Sequence, residues 1–146
     1  MKIRSFLEAD EDAVVALWDA CGLTRPWNDP RKDIARKLKV QREMFLVIED
    51  EGQVVASVMA GYEGHRGWVN YLAVALDFRG RGYGRQLMRH VEQVLSRAGC
   101  PKINLLVRAG NAATLAFYSR LGYVQDEAVS LGKRLIPDEP TPIRSS

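Results

Sequence analysis

The residues best suited to chemistry lie in a short segment that alternates arginine with glycine, Arg-Gly-Arg-Gly-Tyr-Gly at residues 79–84. A strand-like apolar run at residues 71–76 precedes it, and a helical pattern follows directly. Alternating glycines allow several backbone N–H groups to converge on one ligand, and a helix N-terminus adds partial positive charge. With Arg85 close behind, the segment predicts a site for a phosphate-bearing ligand.

Two common phosphate-binding motifs do not fit this segment. A P-loop requires Lys followed by Ser or Thr after its last glycine, and no such pair follows Gly84. A dinucleotide fingerprint requires a third glycine where this chain has Arg85 or Leu87, and it also needs an acid on the next strand. No Asp or Glu occurs between Glu92 and Asp126, so both motifs are excluded.

The remaining pattern is Arg-x-x-Gly-x-Gly, and it is followed downstream by a second block. Arg79, Gly82 and Gly84 form the first pattern, and Asn-Ala-Ala-Thr-Leu-Ala-Phe-Tyr-Ser-Arg-Leu-Gly-Tyr forms the second at residues 111–123. Together with the Leu-x-Val pattern at residues 72–74, the two blocks resemble the acetyl-coenzyme A pyrophosphate loop and the Asn…Phe-Tyr…Gly-Tyr segment of the GNAT superfamily of N-acetyltransferases. The resemblance extends from the N-terminus to Leu135.

The resemblance implies that acetyl-coenzyme A is the acetyl donor. The implied cofactor-binding residues are Leu72, Ala73, Val74, Arg79, Gly80, Arg81, Gly82, Tyr83, Gly84, Asn111, Phe117 and Tyr118. The strand residues would bind the pantetheine arm through main chain, and one of their N–H groups would polarise the thioester carbonyl. Tyr118 matches the family's catalytic acid, which protonates the leaving thiolate, and a phenol keeps its proton at neutral pH. Packing for Tyr118 and helix capping for Asn111 are the structural alternatives.

The family's general base does not carry over to this chain. Relatives place a glutamate eleven positions before the motif arginine, where this chain has Trp68, or four to five residues before the asparagine, where it has Leu106 and Val107. The nearest titratable residues are Glu63, which is the candidate base, and His65. Two alternatives stay open: an acceptor amine of low pKa, or a water relay through a strand residue, either Asn70 or Tyr71.

The acceptor side is lined in this fold by the loop between the first two helices. Here that loop carries Arg25 and Trp27, and with Trp68 and Tyr71 it predicts an aromatic-walled cleft. The alternative for Trp27 is packing against the second helix. Arg25 and Arg66 favour an acceptor that bears a carboxylate, such as an amino acid or a peptide end.

The sequence therefore predicts an acetyl-coenzyme A-dependent N-acetyltransferase. It would move an acetyl group to a primary amine of a small molecule, amino acid or peptide, by direct transfer in a ternary complex. The alternative is a non-catalytic acyl-coenzyme A-binding sensor or interaction module, which the apolar base positions favour. The net charge of +3 and pI of 9.0 do not predict nucleic-acid binding, because the basic cluster coincides with the phosphate loop.

Composition predicts one ordinary globular domain without metal. A chain of 146 residues suits a single core, and no apolar run approaches the roughly 20 residues of a membrane span. The N-terminus lacks the apolar core of a secretory signal. Cys21 and Cys100 have neither metal-ligand spacing nor a disulfide-rich context, so we expect free thiols in a cytoplasmic protein.

Hydrophobic periodicity predicts one mixed sheet flanked by helices. The order of these elements resembles that of the GNAT fold, which implies an α/β (α+β) architecture with a central mixed, mostly antiparallel sheet and helices on both faces. The predicted strands cover residues 2–6, 44–48, 54–62, 68–74, 102–107 and 128–135. The predicted helices begin at residue 10 or 12, 29, 84 and 111. Residues 1–136 form the domain and the proline-rich residues 137–146 a disordered tail. The oligomeric state is open, with a homodimer as one alternative.

Overall fold

A five-stranded sheet with four α-helices forms the part of the chain, residues 1–138, that the computed structural model describes. The strands are β1 (Lys2–Ser5), β2 (Phe45–Asp50), β3 (Gln53–Tyr62), β4 (Gly67–Val74) and β5 (Ile103–Leu105). The helices are α1 (Glu11–Ala20), α2 (Pro30–Lys37), α3 (Tyr83–Arg97) and α4 (Ala112–Arg120).

The strands lie side by side in chain order, and the sheet is mixed. Neighbours from β1 to β4 are antiparallel, whereas β5 pairs with β4 in parallel. That parallel pairing involves only the first three residues of β4, from Gly67 to Val69. Beyond Val69 the two strands separate, which leaves the second half of β4 without a neighbour on that side.

Helices cover both faces of the sheet and give the domain two apolar cores. On one face α3 buries the stripe that its periodicity predicted, Leu87, Met88, Val91 and Leu95. On the other face α1 buries Val14, Leu17 and Trp18 against strands β2 to β4, with Ile34 of α2. Burying each such side chain contributes about 1.5–3 kcal/mol, so these stripes fix the positions of the helices on the sheet. The predicted mixed sheet between helices is confirmed.

Side-chain caps set where two helices begin. The Asp29 carboxylate accepts hydrogen bonds from the N–H groups of Arg31 at 2.9 Å and Lys32 at 3.3 Å, with Pro30 in the first turn. The Asn111 side chain accepts from Thr114 N–H at 3.2 Å and caps α4. Both starts were predicted from the sequence, because these side chains satisfy N–H groups that the helix itself leaves unpaired.

A bulge interrupts β4 in the middle of its pairing with β3. Ser57 pairs with Ala73, yet Met59 pairs with Asn70, so β4 contains one extra residue. Tyr71 lies in the bulge with φ at +55°. Because side chains alternate along a strand, the extra residue reverses which face each later side chain occupies. The bulge lies where β4 loses its β5 neighbour.

The predicted sixth strand is wrong. Residues 128–135 form no strand, and their larger apolar side chains are exposed, including Val129 at 87% and Leu131 at 92%. The alternating pattern fits a strand, but a strand also needs a partner edge with free hydrogen-bonding groups. The observed β5 offers only Ile103–Leu105, which is shorter than the predicted residues 102–107.

The chain after α4 returns to α2 and contacts both of its ends. Asp138 has a nearly buried carboxylate, which pairs with Arg36 at 2.6 Å and accepts a hydrogen bond from Asp29 N–H at 2.9 Å. The Arg36 hydrogen bond, with that from Asp29, lowers the pKa of Asp138 to about 2. Most of the predicted tail, residues 139–146, lies outside the described residues.

Candidate active site

The separation of β4 from β5 opens a cleft of about 600 Å³. The bulged part of β4 lines one wall with Asn70, Tyr71 and Leu72. The β5–α4 segment and α4 itself line the opposite wall, and the loop between α1 and α2 closes the far end. One continuous space thus joins the predicted cofactor strand to the predicted acceptor loop.

Backbone donors of β4 face this cleft. The N–H of Ala75 donates to Val55 O of β3 at 2.8 Å, which fixes the direction of the neighbouring amides. Since N–H direction alternates along a strand, the N–H groups of Leu72 and Val74 point away from β3. They face the side where β5 has already separated. Ala73 is 4% exposed and packs in the core, so its side chain is not available to a ligand.

The glycine-rich loop at the end of β4 forms an open cradle. Gly80 has φ of +81° and Gly82 +79°, and a Cβ built on either would meet no protein atom within 4 Å. In the described chain the N–H groups of Gly80, Arg81 and Gly82 have no hydrogen-bond partner. Gly82 is also the residue before α3, whose first turn adds further unpaired N–H groups. The loop therefore fits the anionic pyrophosphate that the sequence predicted.

The loop's arginines and tyrosine differ in what they contact. Arg79 turns back to β4, where its Nε donates to Val74 O at 3.1 Å. Arg81 lies over the Phe78 ring at 4.5 Å from the centroid and 3.9 Å from Asp50. Tyr83 is buried, and its hydroxyl donates a hydrogen bond to the carboxylate of the same Asp50. These contacts show that Arg79 and Tyr83 shape the loop, while backbone donors remain available to a ligand.

Tyr118 of α4 lies in the cleft wall with 8% of its surface exposed. Its burial raises the pKa of the phenol to about 12, so the hydroxyl keeps its proton at neutral pH. The described chain provides no hydrogen-bond partner for this hydroxyl, and it is not among the fully buried unpaired atoms. The Tyr118 hydroxyl can therefore donate a hydrogen bond to a molecule in the cleft.

Two other residues of the second sequence block have a structural contact. The side-chain oxygen of Asn111 is used by the cap of α4, and its amide NH₂ at the cleft has no hydrogen-bond partner among residues 1–138. Phe117 packs over the glycine loop, where a Cβ on Gly84 would lie 3.2 Å from its ring. Gly84 therefore permits the close approach of α3 to α4. Helix capping and cofactor binding are compatible for Asn111.

Only part of the predicted acceptor side lines the cleft. Arg25 and Tyr71 do, whereas Trp27 and Trp68 do not. The candidate base Glu63 also lies outside the cleft lining. Glu63 is held in its own turn, where its carboxylate accepts hydrogen bonds from two backbone N–H groups, those of His65 and Arg66. The Arg25 guanidinium is anchored by one nitrogen, which donates to the carbonyls of Gly22 at 2.7 Å and Thr24 at 2.8 Å.

Two charged residues in the cleft wall were missed by the sequence analysis. Asp33 of α2 accepts a hydrogen bond from the Tyr71 hydroxyl at 2.6 Å, and burial followed by this bond raises the Tyr71 pKa. Arg108 follows β5, with its guanidinium 5.9 Å from the centroid of the Trp27 ring, and it is in no described salt bridge. In the sequence, the one feature that could have pointed to Asp33 as a residue of the cleft is its position next to Ile34, which is buried in the core.

A buried chain of hydrogen bonds leads to the β4 bulge. Trp18 Nε1 donates to Ser57 Oγ at 2.7 Å, and Ser57 Oγ donates to the backbone oxygen of Tyr71 at 3.0 Å. The Tyr71 ring also stacks on Trp18 with centroids 3.8 Å apart. A non-glycine residue at positive φ costs about 1–3 kcal/mol, so these contacts offset backbone strain at Tyr71. The sequence analysis missed Ser57, and a lone hydroxyl in an apolar strand is the signal that could have identified it.

The described residues contain neither a cluster of metal ligands nor a helix that could span a membrane. No group of three or more His, Cys, Asp or Glu side chains in residues 1–138 could hold a metal ion. None of the helices in that part of the chain combines the length and apolar character needed to cross a membrane. Both cysteines are free and partly buried, as the sequence predicted.

Known proteins are similar to this chain over most of its length. The profile of the acetyltransferase (GNAT) family matches residues 8–123. An acetyltransferase of Yersinia enterocolitica is 49% identical over 139 residues, which cover 95% of this chain and 99% of that protein. One from Pectobacterium atrosepticum is 50% identical over 138 residues, covering 94% and 98%. The ribosomal-protein-alanine N-acetyltransferase structure from Brucella melitensis has a TM-score of 0.68 and 31% identity, covering 84% of this chain and 83% of that chain.

The fold, the family match and the relatives agree on the class of protein. The chain belongs to the GNAT acetyltransferase family, and its enzyme class is N-acetyltransferase. The superfamily predicted from the glycine loop and the second block is thereby confirmed.

Proposed function

We propose that this protein transfers the acetyl group of acetyl-coenzyme A directly to a primary amine in a ternary complex. The observation that carries the proposal is the half of β4 without a β5 neighbour, which lines the cleft with Leu72 and leads into a glycine loop whose Gly80, Arg81 and Gly82 N–H groups have no hydrogen-bond partner in the described chain. Such an arrangement suits a ligand with an extended amide-bearing arm and a pyrophosphate.

Each part of the site would have a distinct task. Acetyl-coenzyme A supplies the activated acetyl group and a thiolate leaving group. The loop N–H groups would bind its pyrophosphate, and Val74 and the Asn111 amide would bind the pantetheine arm. The Leu72 N–H would polarise the thioester carbonyl, because a fixed backbone donor stabilises developing negative charge. The Tyr118 hydroxyl would give its proton to the departing sulfur.

The acceptor that we propose is an amino acid or peptide amine with a carboxylate nearby. Two guanidinium groups, those of Arg25 and Arg108, line the cleft, and neither is in a described salt bridge. The acid in the wall, Asp33, is already engaged by Tyr71 and by Arg36 at 3.4 Å. A carboxylate therefore matches the available charge better than a polyamine does. The Brucella melitensis relative is named for acetylating a protein alanine, which suits the peptide class.

Two measurements test the proposal. Titration calorimetry with acetyl-coenzyme A should show one site per chain at micromolar concentration, and free-thiol release should follow addition of an amine. Among acceptors, an amino acid or short peptide should exceed a diamine of similar pKa in kcat/KM. Arg108→Gln should reduce that preference, whereas Arg97→Gln at the far end of α3 serves as the matched control and should not. Absence of acetyl-coenzyme A binding at high micromolar concentration would refute the proposal that it is the acetyl donor.

The alternative function is an acyl-coenzyme A sensor without catalysis. Trp68, Leu106 and Val107 are apolar at the positions where relatives carry a base, and Glu63 lies outside the cleft. Tight binding of acetyl-coenzyme A with no thiol release for any amine in a broad panel would establish the sensor. Release above the hydrolysis rate for one amine would exclude it.

A further inference from the structure

The peptide between Tyr71 and Leu72 connects the buried core to the cleft. A peptide unit is planar and trans, so its C=O and its N–H point in opposite directions. The carbonyl oxygen of Tyr71 accepts the Ser57 hydroxyl at 3.0 Å on the α1 side of the sheet. The N–H of the same unit belongs to Leu72, which lines the cleft, and it points away from the Ser57 hydroxyl. Whatever orients the Tyr71 carbonyl therefore also orients the Leu72 N–H.

The Ser57 hydroxyl has its own direction fixed by Trp18. The indole Nε1 is only a donor, and it donates to Ser57 Oγ at 2.7 Å. Because the Trp18 N–H occupies a lone pair of the Ser57 oxygen, the Ser57 hydroxyl proton is directed to the Tyr71 carbonyl. Both Trp18 and Ser57 are 0% exposed, so water does not compete for either bond.

The Tyr71 side chain is held on the same side of the sheet. Its ring stacks on Trp18 at 3.8 Å with an interplanar angle of 10°, and its hydroxyl donates to Asp33 at 2.6 Å. Trp18 thus contacts the bulge twice, through the ring of Tyr71 and through Ser57. A residue at positive φ without such contacts would relax, and the following peptide would rotate.

We propose that Trp18 and Ser57 are positioning residues that aim the Leu72 N–H at the acyl oxygen of the donor. This inference rests on the proposed function, since it names the support for its carbonyl-polarising group. The hydrogen bond to the Tyr71 carbonyl also makes the Leu72 N–H a stronger donor, because linked hydrogen bonds polarise one another. The support acts on the chemical step, whereas cofactor affinity depends on the glycine loop.

The decisive variant is Ser57→Ala, with Val58→Ala as its matched control. Val58 is the next residue, equally buried, and faces the α3 core on the other side of the sheet. Both changes should lower Tm, by about 3–10 °C. Only Ser57→Ala should lower kcat, by about 10- to 100-fold, because a misdirected donor stabilises the transition state less. The Kd for coenzyme A should stay within about 3-fold in both, since the phosphate loop is unchanged.

Trp18 tests whether the two residues act as one chain. Trp18→Phe keeps an aromatic ring for stacking and removes the Nε1 donor, so we expect a smaller loss in kcat than for Ser57→Ala. The double variant should be no slower than Ser57→Ala alone, because Trp18 acts through the hydroxyl that is already missing. Ser57→Thr, which retains the hydroxyl, should recover most of the rate. Additive losses in kcat would show that Trp18 and Ser57 act independently, which would contradict the proposed hydrogen-bond chain.

A readout without catalysis comes from the amide NMR spectrum of the free protein. In Ser57→Ala the Leu72 amide signal should move, and in Val58→Ala it should stay near its original position. A wild-type kcat in Ser57→Ala, together with an unmoved Leu72 signal, would show that Ser57 only satisfies Trp18. If the unmodified enzyme released no thiol with any amine, the proposed function would fail, while the NMR comparison would still decide whether Ser57 orients the peptide.

Discussion

Replacing Gly82 by valine separates the strain of the loop from its role in binding. Gly82 has φ of +79°, and a side chain there enters space free of protein atoms. The left-handed conformation costs a non-glycine residue about 1–2 kcal/mol. At about 2.1 cal/mol/K per residue, the 146 residues have an unfolding entropy of about 0.3 kcal/mol/K. We therefore expect Gly82→Val to lower Tm by about 3–6 °C and leave the fold intact.

The same change should abolish most of the affinity for coenzyme A. The new side chain occupies the cradle, and each hydrogen bond to a charged oxygen contributes about 1.5–3 kcal/mol. Loss of two such bonds weakens binding by at least about 100-fold in calorimetry. Gly99→Val is the matched control, because Gly99 also has positive φ, +86°, and open space around it, yet lies at the opposite end of α3. Equal affinity in the two variants would refute the loop assignment.

Three further changes test other contacts. Tyr118→Phe should lower kcat by about 100-fold in the thiol-release assay and leave the Kd of coenzyme A unchanged, because only the proton donor is removed; an unchanged rate would return Tyr118 to packing. Gly84→Ala should lower Tm and weaken cofactor binding modestly, since its Cβ would lie 3.2 Å from Phe117 and push α4 off the loop. Asp138→Asn should destabilise the protein above pH 4. Because folding lowers the pKa of Asp138 from 3.8 to about 2, its contribution is complete above 3.8 and lost as pH falls towards 2, so the Tm difference from wild type should shrink over that interval.

Local signals were sufficient for most of the fold and for the conformation of the glycine loop. The caps at Asp29 and Asn111 and the apolar stripe of α3 are set by residues near in sequence, and the structure has them as predicted. The glycine loop was also predictable, because its conformation depends on the absence of side chains at Gly80 and Gly82. These features need no knowledge of distant partners.

The features that were missed depend on contacts between distant segments. The bulge at Tyr71 arises from a register shift against β3, which strand periodicity cannot show. Asp33 reaches the cleft only because α2 packs beside β4, thirty-eight positions away from its Tyr71 partner. Residues 128–135 have a strand pattern but no edge to join. Glu63 was a reasonable candidate in sequence, yet the turn that contains it uses its carboxylate for two backbone N–H groups.

The absence of a base at the family's usual positions leads to a prediction about pH. Deprotonation should be left to the amine itself, because Glu63 is used by its turn and Asp33 already accepts from Tyr71 at 2.6 Å. Log(kcat/KM) should then rise with unit slope up to the pKa of the acceptor. With two acceptors of different pKa, the break should move by the difference between them.

A dedicated base would give a different profile. A break at one pH for all acceptors would show that a protein group takes the proton, and its loss in Asp33→Asn or Glu63→Gln would identify which. Tyr71→Phe tests whether Asp33 is the base or only a hydrogen-bond partner of Tyr71, because the change removes that hydrogen bond and keeps the Asp33 carboxylate. If Asp33 were the base, Tyr71→Phe should shift the fixed break to a different pH. We expect no fixed break in any of the four proteins, and finding one in the wild type would refute amine-controlled deprotonation.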